Sequence, residues 1–367
     1  MRRFCAYLFF RHAIVAIINA RSIYMTEKKR LAGWKILLIV IASVIVFILL
    51  FMLGVRAYFR LPVGDYYKAS EKTFVIPGTN GGYIAQGIEY DSENDRFLCT
   101  GYMNKGGASP LYVVDAKENK LIKSLKLANV DGSEYTGHAG GLALHGNKIY
   151  VADGKGLLVY DYSEVMNAQD GSLLTAKSRF SSQLNDDDYV KASFVVSSQE
   201  GIWIGEFHRE GNYNTLDSHD VTLSDGSKNC GLAVLFPYDG ENDTGLKEKP
   251  IKAFSLPDLV QGMCFYNGNV FISTSYGPAF SHISVYKEEN LIKNTDEYQV
   301  LGAKIPLYVL SSESMTSSKK IAPMSEEIVT RNGKLYVMCE SASDKYIFGK
   351  FTSSKYCYAT DIEKFFG

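Results

Sequence analysis

The sequence predicts an all-β protein, a five-bladed β-propeller preceded by one transmembrane helix. Three observations support this fold: a 20-residue apolar segment near the N-terminus, a two-strand phrase that occurs five times after it, and a strand-like segment ahead of the first copy. A repeat of this period with about four strands per copy is typical of propeller blades. A six-bladed ring is the alternative, because spacings of 69 and 65 residues between the later copies leave room for degenerate strands.

The apolar segment, ILLIVIASVIVFILLFMLGV at 36–55, carries no charge and has the length of a membrane-spanning helix. Basic residues are concentrated before it, at Lys28, Lys29, Arg30 and Lys35, whereas only Arg56 and Arg60 follow closely. This bias predicts a cytoplasmic N-terminus and a propeller outside the cell. A cleaved signal peptide is the alternative, but the run exceeds the usual ~7–15 residues and no A-x-A-like cleavage site follows it. We therefore expect a single-pass signal anchor in the cell membrane.

The domain boundaries follow from this segment. We expect a cytoplasmic N-terminal segment at 1–35, the anchor at 36–55, a linker at 56–70 and the propeller at 71–367. Met25, followed by TEKKR, has the character of a natural start, so residues 1–24 are expected to be an over-extended gene model or a loosely structured lead. The net charge of −1 gives no reason to expect nucleic acid as a partner.

The five copies each contain two short apolar strands joined by a tight turn. Two are closely alike, AQGIEYDSENDRFLCTGY (85–102) and VQGMCFYNGNVFISTSYG (260–277). The weaker copies are GGLALHGNKIYVAD (140–153), SFVVSSQEGIWIGEF (193–207) and EIVTRNGKLYVMCE (327–340). Their turns are rich in Gly, Asn and Asp, the residues that short hairpin loops favour. Because each copy begins with an inner strand, the inner strands should start near positions 86, 140, 192, 261 and 326.

Third strands follow in most copies, and the last copy lacks a fourth. The third strands are PLYVVDAK (110–117), GLLVYDYS (156–163), GLAVLFPYD (231–239) and HISVYKEE (282–289). The segment EKTFVIPG at 71–78 resembles IKAFSLPD at 251–258, which ends a blade. We predict that 71–78 completes the last blade and closes the ring, because closure leaves few exposed strand edges. The polar segment MTSSKK at 315–320 is expected to be an exposed connection.

The candidate ligand site lies at the mouth of the central channel, on the face that carries the longer second-to-third-strand loops. Residues at the ends of the inner two strands should line it: Gln86, His138, Asp153, Glu206, His208, Gln261, Ser275, Tyr276, Glu326, Glu327 and Glu340. Carboxylates and amides suit a small polar ligand, a sugar or a hard cation such as calcium. The alternative is that such residues only cap turns. We expect no obligatory cofactor, with calcium left open.

Cysteines and histidines give no recognised metal motif. The six cysteines form no C-x-x-C pair, and Cys99, Cys264 and Cys339 lie in apolar runs where buried thiols are expected. His208, His219, Asp217 and Asp220 crowd one long loop without a recognised ligand spacing, so we expect solvated polar residues there. No P-loop, G-x-S-x-G or H-E-x-x-H motif occurs.

The phrase AQGIEYDSENDRFLCTGY, followed by KLIKSLKL, resembles the five-bladed plant-type glutaminyl cyclase family in Gln86, Gly87, Thr100 and Gly101. That resemblance implies acid–base chemistry at a terminal amine, although Leu98 and Cys99 replace the Glu of the family pattern. The phrase HAGGLALHGNKIYVADG is similar to gluconolactonase-like, six-bladed calcium propellers. The combination with an anchor resembles membrane-anchored bacterial propellers.

Three functions follow as hypotheses, since a propeller fold hosts many activities. The first is an extracytoplasmic propeller that binds a small polar ligand, a glycan or a protein partner. The second is an extracytoplasmic enzyme, either glutaminyl cyclotransferase-like or a calcium-dependent lactonase or esterase. The third is a structural partner of another envelope protein.

Overall fold

A computed structural model describes residues 33–367, so the expectations for residues 1–32 lie outside the described residues. The chain divides into two compact units, one ending at Val55 and the other spanning Arg56–Gly367. Helix α1 (Gly33–Arg60) has a mean hydropathy of 3.5 over its most apolar window, and residues 33–54 are exposed. Within residues 33–367 it is the one helix long and apolar enough to cross a membrane, a property that signal sequences share. The predicted apolar helix is therefore present.

The second unit is a five-bladed β-propeller, as the repeat predicts. The first strand of the chain is β1 (Ser70–Val75). Blade one contains β2 (Tyr83–Asp91), β3 (Arg96–Met103), β4 (Pro110–Asp115) and β5 (Lys120–Ala128). Blade two contains β6 (Leu142–His145), β7 (Lys148–Ala152), β8 (Gly156–Asp161) and, after a short strand β9 (Leu173–Thr175), β10 (Ser178–Ser181).

The remaining blades follow in chain order. A small hairpin of β11 (Gln183–Asn185) and β12 (Asp188–Tyr189) precedes blade three. Blade three contains β13 (Phe194–Ser197), β14 (Gly201–Gly205) and, after the hairpin β15 (Val221–Thr222) and β16 (Lys228–Asn229), β17 (Gly231–Pro237) and β18 (Lys252–Leu256). Blade four contains β19 (Val260–Tyr266), β20 (Asn269–Thr274), β21 (Ser281–Lys287) and, after β22 (Ile292–Val300) and β23 (Ala303–Val309), β24 (Met315–Ile321). Blade five contains β25 (Ser325–Arg331), β26 (Lys334–Cys339), β27 (Tyr356–Asp361) and the N-terminal β1.

Ring closure occurs where it was predicted. Strand β1 pairs antiparallel with β27, so the N-terminal strand completes the blade formed by the end of the chain. The inner strands β2, β6, β13, β19 and β25 contact one another in turn around the axis. They begin within three residues of the positions expected from the repeat. Apolar side chains between neighbouring blades form the core.

Two segments between third and fourth strands add strands outside the five blades. The segment in blade four accounts for the 65-residue spacing, whereas the 69-residue spacing comes from the connections 206–230 and 238–251 of blade three, so neither spacing contains a sixth blade. Strand β9 leaves blade two and pairs in parallel with β5 of blade one. Strand β23 leaves blade four and pairs in parallel with β18 of blade three, while β22 pairs with β23. Each insertion therefore extends the outer edge of the preceding blade.

The expectation for MTSSKK was wrong. Residues 315–321 form β24, the fourth strand of blade four, which pairs antiparallel with β21. Its side chains alternate between half-buried and exposed, as expected for an outer strand with one face in solvent. The polar composition hid this pattern, because two of the three half-buried positions are occupied by Ser317 and Lys319.

Short helices complete the second unit. The segment expected to be a linker is helical through residue 69, and it contains α2 (Gly64–Ala69). Phe59 stacks on Phe348, and Tyr66 packs against Phe365, so this segment lies against the propeller. The others are α3 (Tyr162–Asn167), α4 (Gly349–Thr352) and α5 (Ile362–Phe366).

Candidate functional site

The propeller has two faces that differ in their connections. On one face the inner strands begin and the second strands end. The long connections also lie there, so we call it the loop face. We call the opposite face, with the short turns between first and second strands, the turn face. The central channel runs between them, lined by β2, β6, β13, β19 and β25.

Glu327 occupies the middle of the channel. In the repeat it stands at the position that Gly87, Gly141 and Gly262 hold in three other inner strands. A Cβ on Gly262 would lie 2.5 Å from Glu327 Cα, and one on Gly141 would lie 2.8 Å from Glu327 Oε1. Glycine at 141 therefore gives the buried Glu327 side chain its space, and glycine at 262 lets the backbone at Glu327 approach closely.

The Glu327 carboxyl group joins several blades through backbone hydrogen bonds. Ile88 N–H donates to Oε2 at 2.7 Å, and Leu142 N–H donates to the same oxygen at 3.0 Å. The N–H of Val195 also donates to this carboxyl. Burial raises the pKa of Glu327 well above its usual range, while the three N–H donors oppose that shift. One side chain of blade five thereby satisfies donors of blades one, two and three.

A cavity of about 400 Å³ lies on the turn-face side of Glu327. All five inner strands contribute to its wall, β6 through its first residue, Leu142. Its apolar lining includes Val195, Met263 and Ile328. Its polar lining consists of Glu89, Ser92, Ser197, Thr330, Arg331, Asn332 and, at its base, Glu327. The accessible lining is mixed and more polar than apolar, which suits a small polar ligand.

Glu89 is the titratable group that distinguishes this cavity. Its carboxyl accepts the Ser197 hydroxyl at 3.1 Å, the Leu144 N–H at 3.3 Å and the adjacent Tyr90 N–H at 2.8 Å. Burial nevertheless dominates and raises the pKa of Glu89 to about 7. Near neutral pH this carboxyl is therefore present in both its protonated and its ionised form.

The cavity rim is held by an ion pair between blades five and one. Arg331 donates to both oxygens of Asp95, with nitrogen–oxygen distances from 2.8 to 3.1 Å. Tyr90 donates its hydroxyl proton to Asp95 at 2.9 Å and lies beneath the Arg331 guanidinium. This bidentate geometry fixes the guanidinium at the edge of the cavity.

The raised pKa of Glu89 predicts a pH-dependent stability. The folded chain retains this proton between about pH 4.5 and pH 7, where the unfolded chain releases it, so the free energy of unfolding falls as pH rises. The contribution is at most about 3.5 kcal/mol, at about 1.4 kcal/mol for each pH unit between the two pKa values. We expect Glu89→Gln to lose less stability than the parent chain between pH 5 and 8, measured by urea unfolding. Parallel pH profiles would contradict the shift.

On the loop face, the structure brings together three of the predicted residues, Glu326, Glu340 and His138. Glu326 is 2% exposed, and burial followed by the neighbouring Glu340 raises its pKa well above the usual range. Glu326 therefore keeps its proton and donates a hydrogen bond to Glu340. Glu340 also accepts the hydroxyl protons of Tyr346 at 2.5 Å and Tyr102 at 3.4 Å. His138 is exposed and stacks on Tyr102, with the ring centres 4.3 Å apart.

Four other predicted residues have different neighbours. Gln86 and Gln261 are half-buried at irregular positions of β2 and β19, where the pairing register shifts by one residue. Tyr276 is exposed beneath the guanidinium of Arg209, 3.9 Å from its carbon. Asp153 pairs with Arg179 of blade two at 2.5 Å.

Glu206 is committed to contacts inside blade three. Glu206 is 1% exposed. Its carboxyl oxygens accept hydrogen bonds from His219 Nδ1 at 2.8 Å, from the Lys191 N–H at 2.9 Å and from the Leu232 N–H at 3.1 Å. These contacts anchor the long connection 206–230 to the blade. Its carboxyl oxygens are therefore engaged by the protein itself.

Sequence reasoning missed Glu89 and Ser197, because it considered only the loop-face ends of the strands. One signal was present: Glu89 interrupts the apolar run of an inner strand, at IEYD. A charged residue inside such a run marks a buried polar contact or a site.

Comparison with known proteins gives no family assignment. No protein-family model and no curated protein sequence matches the chain. Among solved structures, similarity is found to glutaminyl cyclase of Myxococcus xanthus, at 8% identity, a TM-score of 0.38 and coverage of 80% of this chain and 92% of that chain. BamB of Moraxella catarrhalis gives 10% identity, a TM-score of 0.31 and coverage of 70% and 82%. A tail fiber of Staphylococcus aureus phage P68 gives 10% identity, a TM-score of 0.42 and coverage of 73% and 49%. The chain is a five-bladed propeller on the basis of its own sheets.

Proposed function

We propose that this protein is a membrane-anchored, extracytoplasmic propeller that binds a small polar ligand in the turn-face cavity. The observation that carries the proposal is Glu89, a half-buried carboxyl in a cavity of about 400 Å³ with its pKa raised to about 7. Strongly perturbed carboxyls in concave sites are enriched at functional positions. The ring closure and the Glu327 hydrogen bonds give that cavity a rigid wall.

The membrane orientation is supported by charge. Basic residues precede the apolar segment in excess, and such an excess favours the cytoplasmic side. The propeller follows the apolar segment in the chain, so this orientation places it outside the cytoplasm. A C-terminal alkaline phosphatase fusion measures the orientation, and an inactive fusion with an intact chain would contradict it.

The ligand chemistry follows from the lining. Glu89 and Ser197 offer acceptors to an amine or hydroxyl group, while Met263 and Val195 offer an apolar wall. The volume suits a molecule of amino-acid or monosaccharide size. We therefore favour a compact ligand with one polar, donor-bearing end and one apolar side.

We expect a ligand of this class to raise the melting temperature of the full chain in detergent, because binding to the folded state stabilises it. The probes are a panel of free amino acids, primary amines and monosaccharides, each tested by thermal shift. Glu89→Gln should remove the response, whereas the carboxyl control Glu326→Gln, on the loop face, should retain it. A response that survives in Glu89→Gln and disappears in Glu326→Gln would place binding at the predicted loop-face site instead. No response in the parent chain would overturn the proposal.

An enzyme is the second candidate, because a glutamate with a pKa near 7 is suited to general acid–base catalysis. Glutamine-initiated peptides test the cyclotransferase alternative, and aryl esters and lactones, with calcium and with chelator, test the other. Turnover that Glu89→Gln abolishes would favour the enzyme over simple binding.

A further inference from the structure

A second cluster lies on the loop face of blade three and is independent of the cavity. His208 follows β14, Cys230 precedes β17, and Asp258 lies between β18 and β19. One ligand atom from each of the three side chains lies within 4.8 Å of the other two. His208 Nδ1 is 2.7 Å from Asp258 Oδ1. Three separate segments of the chain thus converge on one point, which explains why no sequence spacing revealed them.

The surroundings hold these three side chains in place. The backbone N–H of Leu259 donates to the His208 carbonyl at 3.0 Å, which ties the histidine segment to the aspartate segment. The Thr215 hydroxyl donates to the Cys230 carbonyl and holds the third segment. Asp220 accepts the Cys230 thiol proton, and Lys228 pairs with Asp220 at 2.9 Å. The thiol is therefore flanked by two carboxyl groups, Asp220, which pairs with Lys228, and Asp258, which contacts His208.

Cys230 also differs from the other cysteines of the described chain. Cys99, Cys264, Cys339 and Cys357 are buried and behave as small apolar residues, whereas Cys230 is half-buried beside a histidine and a carboxylate. Thiolate, imidazole and carboxylate are the ligand types of zinc, and hard cations such as calcium avoid sulfur.

We propose that His208, Cys230 and Asp258 bind one zinc ion, with water as the fourth ligand. On binding, the Cys230 S–H bond breaks, its proton leaves to solvent, and a sulfur–zinc bond forms with no change of oxidation state. The metal ties the start and the end of connection 206–230 to the segment that leads into blade four. Three protein ligands and one exchangeable water form the open type of zinc site, which also accepts a small anion or other donor from solvent.

The test uses the full chain in detergent, stripped of metal and titrated with zinc or with cobalt(II) as the spectroscopic probe. We expect one metal per chain, release of one proton per zinc, and a thiolate-to-cobalt charge-transfer band. Cys230→Ser should lose the band. Cys230→Ser and His208→Gln should each weaken zinc affinity at least about tenfold, because changes to residues that only support the metal ligands already weaken affinity about 10–100-fold. Matched controls are Asp217→Asn in the same connection and His282→Gln in β21, which should bind as the parent does.

Absence of the charge-transfer band in the parent chain would overturn the proposal, as would parent-like zinc affinity in Cys230→Ser. Circular dichroism of each variant checks folding. If Cys230→Ser does not fold, the band and the proton release of the parent chain still decide the question. The Glu89→Gln chain should bind zinc normally, so failure of the cavity proposal and failure of this one are distinguishable.

Discussion

Glu327→Ala is expected to destabilise the propeller more than any other single carboxyl truncation proposed for it. The substitution leaves the N–H groups of Ile88, Leu142 and Val195 without their acceptor at the buried axis. Each buried unsatisfied donor costs about 1–3 kcal/mol, so a total loss of about 3–6 kcal/mol follows if water partly replaces the carboxyl. Because the donors belong to three blades, the loss should reduce the stability of the whole ring.

Urea unfolding monitored by circular dichroism measures this effect. Glu93→Ala is the control, an exposed glutamate in the first turn of blade one, and should change the free energy of unfolding by less than about 0.5 kcal/mol. Glu327→Gln should fall between the two, because its amide oxygen retains one acceptor. If Glu327→Ala unfolds at the same urea concentration as the parent, the carboxyl does not hold the blades together.

Phe74→Ala should produce the second large loss, about 3–5 kcal/mol, through the cavity it leaves. Phe74 is 1% exposed in β1 and lies against Phe97, with ring centres 5.4 Å apart. It belongs to the strand that closes the ring on β27, yet it packs on blade one. The substitution therefore weakens the junction between the first and the last blade.

Val75→Ala is the matched control, since Val75 is the next residue of the same strand and is 53% exposed. It should leave the melting temperature within a few degrees of the parent, whereas Phe74→Ala should lower it clearly. Equal melting temperatures for the two variants would show that β1 contributes little to ring stability.

Local patterns were sufficient to predict the blades. Turns such as DSEND and YNGN mark hairpins through residues that accept positive φ, and Asn267 and Gly268 adopt it. The match between 71–78 and 251–258 indicated ring closure, because both segments share the pattern of a lysine, a phenylalanine and a proline at the same spacing. Such signals can be read from short segments of the sequence without knowledge of the tertiary structure.

The candidate sites depend on registers between distant segments, which no local pattern contains. Glu327 meets Ile88 across 239 residues of chain, and Arg331 meets Asp95 across 236. The cavity lies where it does because Glu327 fills the channel axis at its base. The sequence shows a glutamate at a repeat position that glycine holds in other copies, but this alone does not predict a cavity beside it. Of the eleven residues predicted to line the channel mouth, Glu326 and Glu340 lie together because the start of β25 and the end of β26 are adjacent strand ends of blade five.

The pairing of β1 with β27 has a kinetic consequence. The Ser70 and Thr360 hydroxyls lie 2.8 Å apart although 290 residues separate them in the chain. During synthesis β1 is made early, whereas its partner β27 is among the last segments made. The edge of β1 therefore stays unpaired while the intervening blades fold. Contacts of such high sequence separation slow folding, and an unpaired strand edge can pair with other chains. Nascent chains truncated before residue 356 should therefore depend on chaperones to stay soluble.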